Sequence, residues 1–505
     1  MKKEDTCKLS PVAQQRLTAE KVRVSEMNDT PYIHTFRTSE QCYVYDVNTD
    51  KILKVPQGVF NCLSNGDGSY ADEATISFIQ EMKANGFLRS DRVEVSEHPA
   101  TPLLPYYLKN KMRQLILQVT QKCNLRCDYC VYSGTYKNRE HSHLSMSSET
   151  AERLIDFFIK RTKDSKNITV SFYGGEPLLN FKLIKHCVNY IETRYYGRNI
   201  EFAMTTNGTV LDENIIAFLA EKNVDLLISL DGPKEIHDTR RRFASNNEGS
   251  YSVIMDNIAR IKELHPEYYK ERVRFNAVSD TTQTFSCFND FILGEEIFKD
   301  ESKFMLNYIS NQHTEQKINM SEDFIIDREY EYFKVLLSRL GELARDKTSY
   351  LLDGQLAFIY MQCHKNVELE QEHIPHKFHH SGPCIPGASR LFADINGRFF
   401  PCERVSELSE TVMLGDIKNG ISLEKIIKML NLETATHSKC KNCWAYRQCT
   451  ICIAQVDDMQ SVSESETYRV CPSVCKTTDE AFKDYCTLRE LGYNFDEVMK
   501  MGDIR

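Results

Sequence analysis

Cysteines at two places in the chain have the spacing to do chemistry. Cys123, Cys127 and Cys130 form a C-x3-C-x2-C pattern, while Cys384, Cys402, Cys440, Cys443, Cys449, Cys452, Cys471 and Cys475 crowd the last quarter. Eighteen cysteines in 505 residues with no export signal point to metal ligation rather than disulfides. Three protein thiolates around a 4Fe-4S cluster leave one iron open to a chelating substrate, whereas a structural cluster normally takes four. Structural zinc is the competing chemistry for both groups. Cys7, Cys42, Cys62, Cys187, Cys287, Cys363 and Cys486 stand singly, and the expected role of such residues is as small core hydrophobes.

Four further segments punctuate the chain after the first group: FYGGEP at 172–177, TTNG at 205–208, SLDG at 229–232 and HDTRR at 237–241. Each alone reads as a polar strand-to-helix turn or a solvated charge run. Each follows an apolar β-like run, however, and helical runs separate them: RQLILQVT, helix, NITVSFYGGEP, helix, IEFAMTTNG, helix, VDLLISLDG, helix, VRFNAVS. That alternation predicts parallel βαβ units, with the polar segments at the strand ends where α/β folds build their sites.

The flanking regions differ. Residues 32–88 alternate apolar and polar, then turn helical through ATISFIQEMKANGF, which predicts a small strand-plus-helix module. EHPATPLLP predicts an extended linker, residues 323–361 a mainly helical segment, and QCHKNVELEQEHIPHKFHHSGPC a polar, histidine-rich connection. The cysteine-dense end is expected to have few long periodic segments, metal ligation standing in for part of a core. A net charge of −9 excludes a nucleic-acid binder that relies on a basic surface. The polar start MKKEDTCKLSPVAQQRL and the lack of an apolar run of roughly 20 residues predict a cytoplasmic protein with no membrane partner.

C-x3-C-x2-C with an aromatic residue before the third cysteine, followed in order by GGEP, TTNG, SLDG and HDxxR, resembles the radical S-adenosylmethionine (SAM) superfamily. The resemblance implies a partial (β/α)6 TIM-like barrel in an α/β protein. Cys123, Cys127 and Cys130 would hold a SAM-binding 4Fe-4S cluster. Tyr129, Gly174, Gly175, Glu176, Pro177, Thr206, Asn207, Ser229 and Arg241 would contact the cofactor. Because Arg240, Arg241 and Arg242 run in succession, spacing favours Arg241 without settling the choice.

Cys384-x12-Gly397-x4-Cys402, with Cys440-x2-Cys443-x5-Cys449-x2-Cys452 and Cys471, is similar to the SPASM domain, which binds two auxiliary iron-sulfur clusters. By that resemblance Cys384, Cys402 and Cys452 serve the nearer cluster and Cys440, Cys443, Cys449 and Cys471 the farther. Cys363, Cys475, His379 or His380 completes the nearer one, or an iron stays open. Glu403 is a candidate proton-transfer group. The N-terminal module resembles the winged-helix-like recognition element of maturases of ribosomally made peptides, which takes a leader as an added strand. The expected domains are therefore an extension at 1–30, peptide recognition and linker at 31–105, radical SAM core at 106–322, helical connection at 323–381, SPASM at 382–490 and a tail at 491–505.

The whole chain looks most like sactipeptide- and ranthipeptide-type maturases. These join cysteine sulfur to carbon in a Cys-rich precursor peptide, using SAM, three 4Fe-4S clusters and a flavodoxin or ferredoxin-type electron donor. An anaerobic sulfatase-maturing enzyme, a maturase making other cross-links, and a zinc-stabilised peptide-binding scaffold are the alternatives.

Overall fold

The computed structural model describes residues 30–65, 71–298, 304–364, 373–380 and 382–496. Nearly all of the expected N-terminal extension, much of the expected tail and Cys7 lie outside these residues.

Strands β1 (Ile33–Arg37), β2 (Cys42–Asp46) and β3 (Lys51–Val55) form an antiparallel sheet in that order. Helices α1 (Gln57–Asn65) and α2 (Glu73–Ala84) cover one face, where Cys42 and Val44 pack with Val59, Phe60, Ile79 and Met82. Every residue of β2 is buried, because its other face, Tyr43 and Tyr45, packs on a long helix near the end of the chain. The proline-rich stretch expected as an extended linker is instead helical, a short 3-10 turn leading into α3 (Leu104–Asn110). Pro102 and Pro105 fall in the first turns of these two helices, where a missing N–H is no loss.

Six parallel strands follow: β4 (Gln114–Thr120), β5 (Thr169–Gly174), β6 (Glu201–Thr206), β7 (Asp225–Ser229), β8 (Val273–Ser279) and β9 (Phe304–Tyr308), hydrogen-bonded in chain order. The main crossovers are α4 (Ser148–Ile159), α5 (Phe181–Arg194), α6 (Glu213–Glu221), α7 (Tyr251–Leu264) and α8 (Phe285–Gly294). Strand β4 is buried on both faces, as a sheet covered by helices on one side and a filled interior on the other requires. Helix α4 turns Ala151, Leu154, Ile155, Phe158 and Ile159 to the sheet, and Ser147 caps it by accepting from the Thr150 backbone N–H. This is the expected α/β partial barrel.

The sheet does not end at β4. Strand β10 (Leu391–Ala393) pairs parallel with it, and β11 (Arg398–Phe400), β12 (Gly415–Asp416) and β13 (Gly420–Ile421) extend the same sheet antiparallel to ten strands. The cysteine-dense region therefore grows directly from the barrel edge. It also contains a 27-residue helix, Glu464–Glu490, contrary to the expectation of few long periodic segments. Among the described residues no helix is long and apolar enough to cross a membrane.

Candidate active site

The loop after β4 carries Cys123, Cys127 and Cys130, and the end of β5 locks against it. The Gly175 N–H donates to the Thr120 carbonyl at 3.0 Å and the Glu176 N–H to the Lys122 carbonyl at 2.7 Å. Gly174 sits at φ +153°, and a Cβ there would stand 2.1 Å from the Thr120 carbonyl oxygen. At Gly175 a Cβ would lie 2.2 Å from the Lys122 oxygen and 3.0 Å from the Cys123 Cβ. Both glycines are thus required for the two segments to touch.

Glu176 is fully buried and bridges two strand ends. One oxygen accepts from Thr206 Oγ1 at 2.7 Å and the Leu178 N–H at 3.0 Å, the other from the Asn207 N–H at 2.6 Å. Burial raises its pKa, and these donors oppose the shift. Pro177 opens the 3-10 turn that follows. Asn207 donates to Asn124 Oδ1 at 2.8 Å and lies 3.9 Å from Cys123 Sγ, so β6 also reaches the cysteine loop. Ser229 ends β7, buried and paired in register with Asn276.

Of the three successive arginines, Arg240 is spent on Asp280 at 2.7 Å and Asp128 at 3.2 Å, and Arg242 on the Asp238 carbonyl at 2.9 Å. Arg241 is buried, donates to the Tyr129 hydroxyl at 2.7 Å and pairs with Asp231 at 3.7 Å. Tyr129 in turn donates to Asp231. The Arg241 Nε is buried with no partner. His237 holds the base of this group: its Nδ1 accepts from the Asp231 N–H at 3.2 Å, and its Nε2 meets Ser250 Oγ at 3.0 Å, which donates to the Arg241 carbonyl. Burial, with Arg241 nearby, depresses its pKa to about 2, so it is a neutral brace.

Burial pushes the Cys123 thiol up to about 12 and Cys127 to about 11, with Arg241 pulling Cys127 back. Thiols in this state stay protonated until a metal takes the proton's place. Three of them beside a buried cation with an unused N–H suit a cluster bearing an anionic, chelating ligand. The orphaned Arg241 Nε and the glycines that open the loop to β5 both fit that group.

The later cysteines gather in two further places. Cys384, Cys402 and Cys452 lie within electrostatic reach of one another, with Glu403 beside the first two. Cys440, Cys443, Cys449, Cys471 and Cys475 form the other set. Cys475 therefore does not approach the nearer set. Of the other candidates for completing the nearer set, Cys363 is buried beside Cys486, His379 uses Nδ1 on the His380 carbonyl and Nε2 on the Glu433 N–H, and His380 Nδ1 accepts from the Gly382 N–H at 3.3 Å. Among the described residues no three His, Cys, Asp or Glu side chains close around a single metal ion.

The barrel and the C-terminal region meet at Tyr173, which has Cys130 and Glu403, the residue after Cys402, as neighbours. One Glu403 oxygen pairs with Arg390 at 3.1 Å, and the other is buried without a partner. Sequence reasoning missed Glu407 and Arg139. Glu407 is buried, accepts from Arg139 Nε at 2.9 Å and from Gln118 Nε2 at 2.6 Å, and so ties the segment after Cys130 to β4 and the C-terminal region. It lies four residues beyond Glu403 in a run, VSELSE, that looks like ordinary surface. His141 was also missed; its Nε2 lies 3.9 Å from Cys130 Sγ and its Nδ1 is buried unpartnered.

Residues 117–284 match the Radical SAM superfamily. The chain is 36% identical over 162 residues to a cysteine-type anaerobic sulfatase-maturating enzyme of Clostridium novyi, an alignment covering 31% of this chain and 42% of that relative. It is 22% identical over 414 residues to the radical SAM cyclopropyl synthase TigE of Paramaledivibacter caminithermalis, covering 77% and 79%. The solved structure of native anSMEcpe with bound AdoMet superposes with a TM-score of 0.55 at 21% identity, over 75% of this chain and 99% of that one. The chain thus spans less than half of the Clostridium novyi relative, while its fold is the mixed α/β, parallel-sheet fold of radical SAM proteins. The match to the Radical SAM superfamily covers the strands β4 to β8 and the cysteine loop between the first two of them.

Proposed function

We propose that this chain is a radical SAM maturase that installs thioether links, cysteine sulfur to carbon, in a ribosomally made Cys-rich precursor peptide. The observation that carries this reading is the pair of three-thiol sets, Cys123/Cys127/Cys130 and Cys384/Cys402/Cys452, linked through Tyr173, which neighbours Cys130 of the first and the Glu403 that stands beside Cys384 and Cys402 of the second. In this reading SAM and three 4Fe-4S clusters are the cofactors, a flavodoxin or ferredoxin-type protein is the electron donor, and the module 31–105 takes the leader. Bound at the first set, cluster and SAM supply a 5'-deoxyadenosyl radical able to take a hydrogen atom from substrate.

The chain's own residues have separable tasks. Arg241 and Tyr129 hold the carboxylate end of SAM, while Gly174, Gly175 and Pro177 admit its amino end. Thr206, Asn207 and Ser229 face the ribose, and Glu176 fixes β5 against β6. Glu403, with one buried oxygen free, accepts a proton from the substrate near Tyr173. Each link removes a hydrogen atom from carbon, a proton from sulfur and one electron, which a cluster held by Cys384, Cys402 and Cys452 would accept. The likeness to anSMEcpe, a solved structure of which holds a Kp18Cys peptide, and the N-terminal module support a peptide substrate.

The test is coexpression with a cysteine-rich small reading frame from the same genomic neighbourhood, followed by mass spectrometry. Loss of two hydrogens per link, with the affected cysteines resistant to alkylation, is the expected result. Conversion of a cysteine to an aldehyde instead marks a sulfatase-maturating reaction, the reading favoured by the Clostridium novyi match. A cross-link between carbons, with all thiols still alkylatable, sinks the thioether reading.

A further inference from the structure

The farther cysteine set has one thiol more than a 4Fe-4S cube has corners. Cys440 and Cys443 flank a tight turn, the Cys443 N–H donating to the Cys440 carbonyl at 2.9 Å, and Cys449 follows from the next loop. Across from them runs the helix Glu464–Glu490, here α9, which carries both Cys471 and Cys475. Four residues apart on a helix, the two side chains stand one above the other on the same face. Cys475 Sγ lies 4.0 Å from Cys443 Sγ. Cys471 neighbours Cys443, Cys440 and Cys449. Both helix thiols are half-buried, and they share Cys443 and Cys449 as neighbours.

We infer that Cys471 and Cys475 are alternative ligands for one corner of the farther cluster, the other three corners belonging to Cys440, Cys443 and Cys449. The family resemblance supplies only Cys471 for that corner. The helix is what allows the exchange: a rigid element presents two sulfurs one turn apart, and each has a flexible χ1 with which to reach a common iron. A corner with a spare thiolate keeps its cluster when one of the two is oxidised or alkylated.

The inference rests on the reading that the farther set holds a 4Fe-4S cluster, and the experiment separates the two. Iron and acid-labile sulfide are measured on anaerobically reconstituted wild type, Cys471→Ala, Cys475→Ala and the double variant, with Mössbauer spectra for cluster type. Wild type is expected to hold about twelve iron, each single variant the same, and the double variant about four fewer. Wild type with only about eight iron, unaltered by Cys449→Ala, overturns the cluster reading itself. With wild type full, loss of about four iron in either single variant alone, or no loss in the double, overturns the exchange. Should the double variant misfold, iodoacetamide mapping of holo wild type decides. Partial labelling divided between Cys471 and Cys475, with Cys440, Cys443 and Cys449 protected, is expected; labelling confined to one of the two excludes a shared corner.

Discussion

Arg241 is the residue in which geometry and charge are most concentrated. It is buried, held by Tyr129 and Asp231, and has one N–H unspent beside Cys127. Lysine keeps the charge but not the fork. Arg241→Lys is therefore expected to weaken SAM binding roughly 10- to 100-fold, the value of one or two charge-assisted hydrogen bonds, while iron content is unchanged. Equilibrium dialysis with SAM checks this, and wild-type affinity in the variant removes the anchor role. At Glu403, the glutamine variant is expected to slow cross-link formation roughly 100-fold while SAM cleavage continues. Full product formation by Glu403→Gln sinks its role in proton transfer. His237 gives a third handle. Its folded pKa lies below its unfolded value, so between about 2 and roughly 6.5 the unfolded chain binds the extra proton. Its contribution to stability is thus fully present above roughly pH 6.5 and declines as the pH falls. In His237→Gln, denaturant midpoints measured from pH 7 to 5 are expected to fall less steeply than in wild type.

Among the elements, the most consequential link is between the loop after Cys130 and the region beyond β11. Arg139 and Glu407 are paired with side chains 10% and 1% exposed, and Gln118 from β4 completes the contact. Removing one partner leaves an uncompensated buried charge, so Glu407→Leu is expected to cost about 3 to 5 kcal/mol. The pair itself is weaker than that loss suggests, since its desolvation offsets much of the attraction. Arg139→Met with Glu407→Leu is accordingly expected to recover most of the stability, as read by urea unfolding. A double variant no more stable than Glu407→Leu alone contradicts this account.

At the scale of the molecule, the N-terminal module is docked on the farther cysteine set. The Tyr32 hydroxyl donates to the Cys443 carbonyl at 2.8 Å, and the His34 ring stacks on Trp444 with centroids 3.7 Å apart. His34 also pairs with Asp479 on α9 at 2.7 Å, and Tyr43 donates to Glu490 at 2.6 Å. Arg447 and Gln448 reach back to the carbonyl of Asn48 and the carboxylate of Asp50. The first and last portions of the chain therefore share one core, with Phe36 and Tyr45 against Phe482. Trp444→Ala is expected to cost roughly 3 kcal/mol and to raise amide hydrogen exchange in residues 32–55 more than in β4–β7. Equal protection in both regions means that the module does not depend on this contact.

Five of the six parallel strands, their alternation with helices and the motifs at the strand ends were legible from the sequence, because period and turn chemistry are local properties; the sixth strand, β9, was implied only by the family resemblance. C-x3-C-x2-C and the glycine pair were legible for the same reason: their function is set by neighbours within a few residues. Which of three arginines enters the site was not legible, since Arg240 is diverted by Asp280, forty residues away. Glu407 was invisible because its partners, Arg139 and Gln118, are remote in the chain and an isolated glutamate has no spacing to read. The same holds for Cys475. The sequence offered it as a completion of the nearer cysteine set, and only the packing of one helix across the Cys440–Cys443 turn put its sulfur beside Cys443. Residue types and local spacing thus determined what this chain can bind. The sheet that joins β4 to β10, and the long helix it brings over the cysteines, decided which side chains meet there, because contacts between distant segments form only when burial of a common core draws them together.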